Sequence, residues 1–132
     1  MLVEDSDDLR ICFRAVLEDR GHRVSEAADG IQGVALILAE KPDVGIIDIG
    51  LPGIDGYEIA RLVRAALGHS VLLIALTGHA TDADRALALA AGFDTHMIKP
   101  VDIKLVVRVL DTTRPGVLAR GVVAPPPRAL KE

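Results

Sequence analysis

The chain is poor in cysteine and aromatic residues, has no long apolar run and carries no excess of positive charge. Cys12 is its only cysteine, so no disulfide can close within it, and a reducing, cytoplasmic setting is favoured. Tryptophan is absent, and Phe13, Tyr57 and Phe93 leave few platforms on which bases could stack. No stretch approaches the roughly 20 apolar residues that a helix needs to span a bilayer, so no membrane insertion is expected. The start, Met1-Leu2-Val3-Glu4-Asp5, turns acidic at once and is unlike a secretory leader. A formal net charge of −4 argues against direct nucleic-acid binding, which wants clustered lysine and arginine.

What is present suits one soluble domain. The 132 residues are 50% hydrophobic and 26% charged, and the apolar share comes from Ala, Leu, Val and Ile. Strand-like and helix-like stretches alternate. Residues 1–3 begin an apolar run. Leu9, Phe13, Val16 and Leu17 mark a helix over 6–20 that Gly21 stops. A short strand is predicted over 22–26, a turn at Asp29-Gly30 and a second helix over 31–40, broken at Lys41-Pro42. The apolar run 44–47 ends on Asp48. A loop with Pro52 follows, and Asp55 is placed to cap a helix over 56–67. Residues 71–76 are the clearest strand. An Ala-rich helix over 82–91 stops at Gly92, a short strand covers 94–98, and a last helix covers 102–111. Five β-α units imply an α/β fold: a single doubly wound, five-stranded parallel sheet with helices on both faces. The continuous apolar strands are what a sheet buried on both sides requires. Residues 1–111 form this domain, and 112–132, with Pro125-Pro126-Pro127, read as a tail or linker.

Open sheets of this kind bind ligands beyond the carboxyl ends of their strands. The residues found there are Glu4 and Asp5 after the first strand, Asp48 on the third, Thr77 on the fourth and Lys99 on the fifth. Asp5 competes with Ser6 for the role of helix cap, Thr77-Gly78 alone is an ordinary turn, and a lone lysine is usually solvated. Their joint position on one edge carries the argument. Were the first and third strands neighbours, three carboxylates would converge and raise one another's pKa unless a cation intervened. All-oxygen ligands with room for water suit Mg2+. A hard cation, a lysine and a hydroxyl together suit a phosphoryl group, and a carboxylate can serve as its nucleophile.

At Val3-Glu4-Asp5, at Asp48-Ile49-Gly50-Leu51-Pro52-Gly53-Ile54-Asp55-Gly56, at Ala75-Leu76-Thr77-Gly78 and at Lys99-Pro100 the chain resembles the receiver domain of bacterial response regulators, of the CheY-like superfamily. The resemblance covers residues 1–111. It implies the flavodoxin-like strand order 2-1-3-4-5 and a phosphorelay role in two-component signalling. Asp48 would take a phosphoryl group from a phosphohistidine on a histidine kinase or histidine phosphotransfer protein. Glu4, Asp5, Asp48 and the backbone carbonyl of Gly50 would hold Mg2+. Lys99 would pair with a phosphoryl oxygen, Thr77 would bind another and move as it did so, and His96 stands where the family places a switching aromatic. The Lys99–Pro100 bond would be cis. Gly50 and His79 lie where the family tunes dephosphorylation, and a side-chain-free Gly50 cannot orient a water, so no special speed is expected. The first strand has almost no residues before the acidic pair, Glu4 replaces the commoner Asp, and His96 replaces the usual Tyr or Phe. The face made by the fourth helix, fifth strand and fifth helix would carry the signal to an unknown output partner, or pair two copies of the chain. The run from 75 to 102 is most similar to receivers fused to hybrid histidine kinases.

Such a domain phosphorylates and dephosphorylates itself and turns over no external metabolite. The competing readings fit less well. A haloacid-dehalogenase-type phosphatase needs an acid two residues after its nucleophile, where Gly50 stands. A flavin binder wants a glycine- and hydroxyl-rich first loop, where Glu4-Asp5-Ser6-Asp7-Asp8 would repel phosphate. A receiver working without phosphorylation has no need of Asp48, Thr77 and Lys99 together. Cys12 reads as a small core residue, and the four histidines have no zinc-like spacing.

Overall fold

The computed structural model describes residues 1–51, 53–78 and 81–112. Its elements are β1 (Leu2–Val3), α1 (Asp7–Asp19), β2 (Glu26–Ala27), α2 (Gly30–Glu40), β3 (Val44–Asp48), α3 (Gly56–Leu67), β4 (Leu72–Thr77), α4 (Asp82–Ala91), β5 (Thr95–Ile98) and α5 (Ile103–Thr112), with a 3-10 turn at Gly68–Ser70. The sheet is parallel throughout, in the order β2-β1-β3-β4-β5. This is the doubly wound, flavodoxin-like arrangement that the resemblance implied. The expected tail lies outside the described residues, apart from Thr112, which closes α5.

Helix starts are set by side chains at the ends of the loops. Ser6, Asp29, Asp55 and Thr81 each accept a bond from the backbone N–H three residues on, at 3.3, 2.8, 2.9 and 3.1 Å. Each cap stabilises its helix by about 1 kcal/mol. Ser6, not Asp5, therefore caps α1, and Asp5 is left to the loop. Helix ends follow the backbone rules: Gly92 closes α4 at φ 119° and Lys41 closes α2 at φ 50°.

Strand periodicity divides the core in two. On one face Val3, Ile47, Leu73 and Ala75 pack with Ile37, Ile59, Val63, Ala88 and Ala91 from α2, α3 and α4. On the other, Leu2, Ile46, Leu72, Ile74 and Leu76 pack with Phe13 and Leu17 of α1 and Val106, Val109 and Leu110 of α5. Full burial of side chains such as Phe13 or Leu17 contributes about 1.5–3 kcal/mol each. Helix α2 comes especially close to the sheet, since a Cβ at Gly33 would meet a methyl of Val3 at 2.7 Å.

Three local expectations change. The second strand is Glu26–Ala27 rather than 22–26, because it pairs only alongside Leu2–Val3, in the register Leu2 to Glu26 and Val3 to Ala27. The fourth strand runs one residue further, through Thr77, which pairs with Ile98. Cys12 is exposed, not in the core. The buried side of α1 is defined by Phe13 and Leu17, one turn apart, and Cys12 sits about 100° around the helix from Phe13. Among the described residues no helix is long and apolar enough to cross a membrane.

One polar cluster ties the α3 side of the fold together. The guanidinium of Arg64 donates to the carbonyls of Gly92, Gly68 and Val71 at 2.8, 2.8 and 2.6 Å and to Asp94 Oδ2 at 2.7 Å. Asp94 Oδ2 also accepts from Leu73 N–H at 2.8 Å. Arg64 is 12% exposed, so removing it would strand a partly buried carboxylate and three carbonyls. Arg64→Met is therefore expected to lower the unfolding free energy by about 3 kcal/mol, measured by urea denaturation.

Candidate functional site

The strand register decides which loops meet. Leu2 pairs with Ile46 and Val3 with Ile47, so Glu4 is level with Asp48 on the neighbouring strand. Asp48 in turn pairs with Leu76, one residue before Thr77. Lys99 follows Ile98, the partner of Thr77, and its N–H donates to the Thr77 carbonyl at 2.7 Å. Residues nearly a hundred positions apart are thus brought to one edge by parallel pairing alone.

Glu4 is fully buried. Its Oε2 accepts from Ser6 N–H at 3.0 Å. Its Oε1 lies 3.0 Å from Lys99 Nζ but off the direction of a hydrogen bond, and it accepts no directed bond among the described residues. Burial holds the Glu4 carboxyl above its ordinary pKa, while the Ser6 N–H and Lys99 pull the other way and Asp5 and Asp48 add to the rise. Asp48 is buried, with Gly50 N–H on Oδ1 at 2.9 Å and Lys99 Nζ on Oδ2 at 2.9 Å. Burial works against the Lys99 ammonium, but its hydrogen bond to Asp48 and the negative charge of the Asp48 and Glu4 carboxylates outweigh that, and its pKa lies above the ordinary lysine value.

Oxygens of Glu4, Asp5 and Asp48 lie within 4.8 Å of one another. Lys99 pairs with two of these three acids, Glu4 and Asp48, so acidic groups outnumber the amine in this cluster. Together with the Glu4 oxygen that accepts no directed bond, this donor set fits a hard divalent cation. Asp5 is the exposed member of the three, and Glu4 and Asp48 are buried.

The loop after β3 holds its shape through backbone contact. Gly56 N–H donates to the Ile49 carbonyl at 3.1 Å, and a Cβ at Gly56 would lie 2.6 Å from Ile49 Cα. Only glycine lets the chain fold back so closely behind Asp48. At Gly50 a Cβ would stand 3.7 Å from Asp48 Oδ1, an ordinary contact, so space does not demand glycine there.

Glu4, Asp5, Asp48 and Lys99 are brought together, with buried Thr77 on the adjoining strand end. His96 is not part of this group: it is half-buried on β5, opposite Ala75. His79 lies outside the described residues. The Lys99–Pro100 bond is cis, as the resemblance implied. Reading the sequence missed Arg10, whose Nη1 donates to the Glu4 carbonyl at 2.6 Å. The available signal was a basic residue just inside a helix that follows an acidic loop.

The family model for the response regulator receiver domain matches residues 1–111. The transcriptional regulatory protein AfsQ1 of Streptomyces coelicolor is 38% identical over 121 residues, which is 92% of this chain and 51% of AfsQ1. The chain thus spans about half the length of that relative. Protein PilH of Pseudomonas aeruginosa is 32% identical over 117 residues, covering 88% of this chain and 97% of PilH. Among solved structures, the receiver domain of a Pseudomonas aeruginosa sensor histidine kinase superposes with a TM-score of 0.76 at 35% identity, over 85% of this chain and 93% of that one. That structure has a magnesium ion coordinated in its active site cleft.

Crowded carboxylates should cost stability. Asp5→Asn removes one of three like charges and is expected to raise the unfolding free energy, measured in chelator by urea denaturation. The gain should stay below about 1 kcal/mol, because solvent screens the exposed Asp5.

Proposed function

The chain belongs to the response-regulator receiver family of two-component signalling, and from that premise we propose that it accepts a phosphoryl group on Asp48 and switches partner binding when it does. The observation that carries this is the Asp48 carboxylate itself, buried at the end of β3, held by Gly50 N–H and Lys99 Nζ, and set beside Glu4 and Asp5.

Glu4, Asp5, Asp48 and the Gly50 carbonyl would hold Mg2+. When bound, the ion supplies positive charge against the phosphoryl oxygens as they turn from donor to acceptor. A carboxylate oxygen of Asp48 attacks phosphorus. The bond from phosphorus to the donor's imidazole nitrogen breaks, and its electron pair leaves with the ring. Positioning and charge do the rest, because phosphoryl transfer needs little further covalent chemistry. Lys99 Nζ, 2.9 Å from Asp48 Oδ2, is in reach of a phosphoryl oxygen on that carboxylate. Thr77, one strand over, would hydrogen-bond another oxygen.

The donor would be a phosphohistidine on a histidine kinase or phosphotransfer protein. The relatives include a transcriptional regulator and a receiver carried by a sensor kinase, so both arrangements occur around this sequence. Output would pass through the face of α4, β5 and α5; Leu87 and Leu89 on α4 and Ile98 on β5 are exposed, and His96 on β5 is half-buried. The domain would turn over no external metabolite; its chemistry ends on its own side chain.

Incubation with acetyl phosphate and Mg2+, followed by intact mass measurement, tests this directly. Wild type is expected to gain the mass of one phosphoryl group, Asp48→Asn to gain none, and chelation of the metal to suppress the adduct. An equal adduct on Asp48→Asn would move the acceptor elsewhere.

A further inference from the structure

One side chain outside the pocket grips the loop that carries two of its acids. Arg10 lies on α1 and its side chain is 14% exposed. Its Nη1 donates to the carbonyl of Glu4 at 2.6 Å. Its own backbone N–H donates to the carbonyl of Ser6 at 3.0 Å. The carbonyls on either side of Asp5 are therefore held by the same residue. Arg10 is itself braced: Nη2 pairs with Asp7, and Nε lies 3.4 Å from Glu26 Oε1. The other oxygen of Glu26 is held by Arg14 Nη1 at 2.9 Å. The brace runs from β2 through Arg10 to the Glu4 backbone.

Asp5 makes this matter. Glu4 and Asp48 are buried, so packing aims their carboxylates. Asp5 is exposed, and the backbone of its loop must aim its side chain. We propose that Arg10 is a positioning residue for cation binding, fixing the 4–6 loop so that Asp5 faces Glu4 and Asp48. This rests on the reading that those acids hold Mg2+. A guanidinium is suited to the task, since its fork grips a carbonyl and two carboxylates at once, which an ammonium cannot match.

The sign of the effect separates positioning from charge. As a nearby cation, Arg10 repels a metal ion, so on charge alone its loss would tighten binding. As a brace, its loss would loosen binding. The experiment is calorimetric titration of Mg2+ into wild type, Arg10→Ala and Arg10→Lys, beside the rate of phosphorylation by acetyl phosphate as a function of Mg2+ concentration. Arg10→Ala is expected to raise the Mg2+ Kd roughly tenfold, as loss of a ligand-orienting partner does elsewhere. The rate curve should shift to higher Mg2+ by the same factor and reach a plateau within about twofold of wild type, a split that general loss of structure would not produce. Arg10→Lys, which keeps the charge but not the fork, should give an intermediate Kd. A Kd for Arg10→Ala equal to or below that of wild type overturns the inference, as does a lowered plateau with no shift along the Mg2+ axis. Should Arg10→Ala not fold, Arg10→Lys decides, and a wild-type Kd for it counts against the brace. Wild type that binds no Mg2+ overturns the function proposed above, and this inference with it.

Discussion

Lys99 Nζ stands 3.0 Å from a Glu4 oxygen and 2.9 Å from an Asp48 oxygen, and much of the site's character follows from that shared cation. Two buried carboxylates that face each other cannot both stay ionised in a protein interior without opposite charge beside them. Lys99 offsets part of that charge and leaves the rest. The remainder leaves an acidic oxygen cluster of Glu4, Asp5 and Asp48 whose chemistry fits a hard divalent ion. The arrangement requires the ends of β1, β3 and β5 to lie level, which only the parallel register provides.

The two ends of the sheet are built differently. At the carboxyl end, side-chain caps start the helices, Gly56 allows the loop after β3 to turn tightly, and Arg10 holds the β1–α1 loop from outside. Polar groups there are aimed inward and crowded. Elsewhere, cohesion is apolar on both faces of the sheet, with Arg64 joining α3 to the loops beside β4 and β5. The crowded, partly repulsive edge thus rests on a well-packed apolar body.

Much of this was legible in the sequence. Apolar runs and breakers placed nine of ten elements to within a residue or two of where they fall, since burial on both faces leaves β3 and β4 unmistakable and Asp55, Gly21 and Gly92 mark helix limits by local chemistry. The exception was β2, whose extent depends on how far β1 runs beside it rather than on its own residues. Cys12 was misplaced because helical periodicity near the edge of the apolar stripe is satisfied as well by an exposed position as by a buried one.

By itself the sequence determined which residue types stand at four of the strand ends, and so which chemistry one edge could hold: carboxylates after β1 and at the end of β3, a hydroxyl at the end of β4, an amine after β5. Tertiary structure alone decided that Glu4 is wholly buried while Asp5 is not, that Lys99 is shared between two acids, and that Arg10 reaches back to the Glu4 carbonyl. Local pattern records what a residue prefers. Distance and burial are set by register and helix packing, which join positions far apart in the chain, and no stretch of sequence carries that information alone.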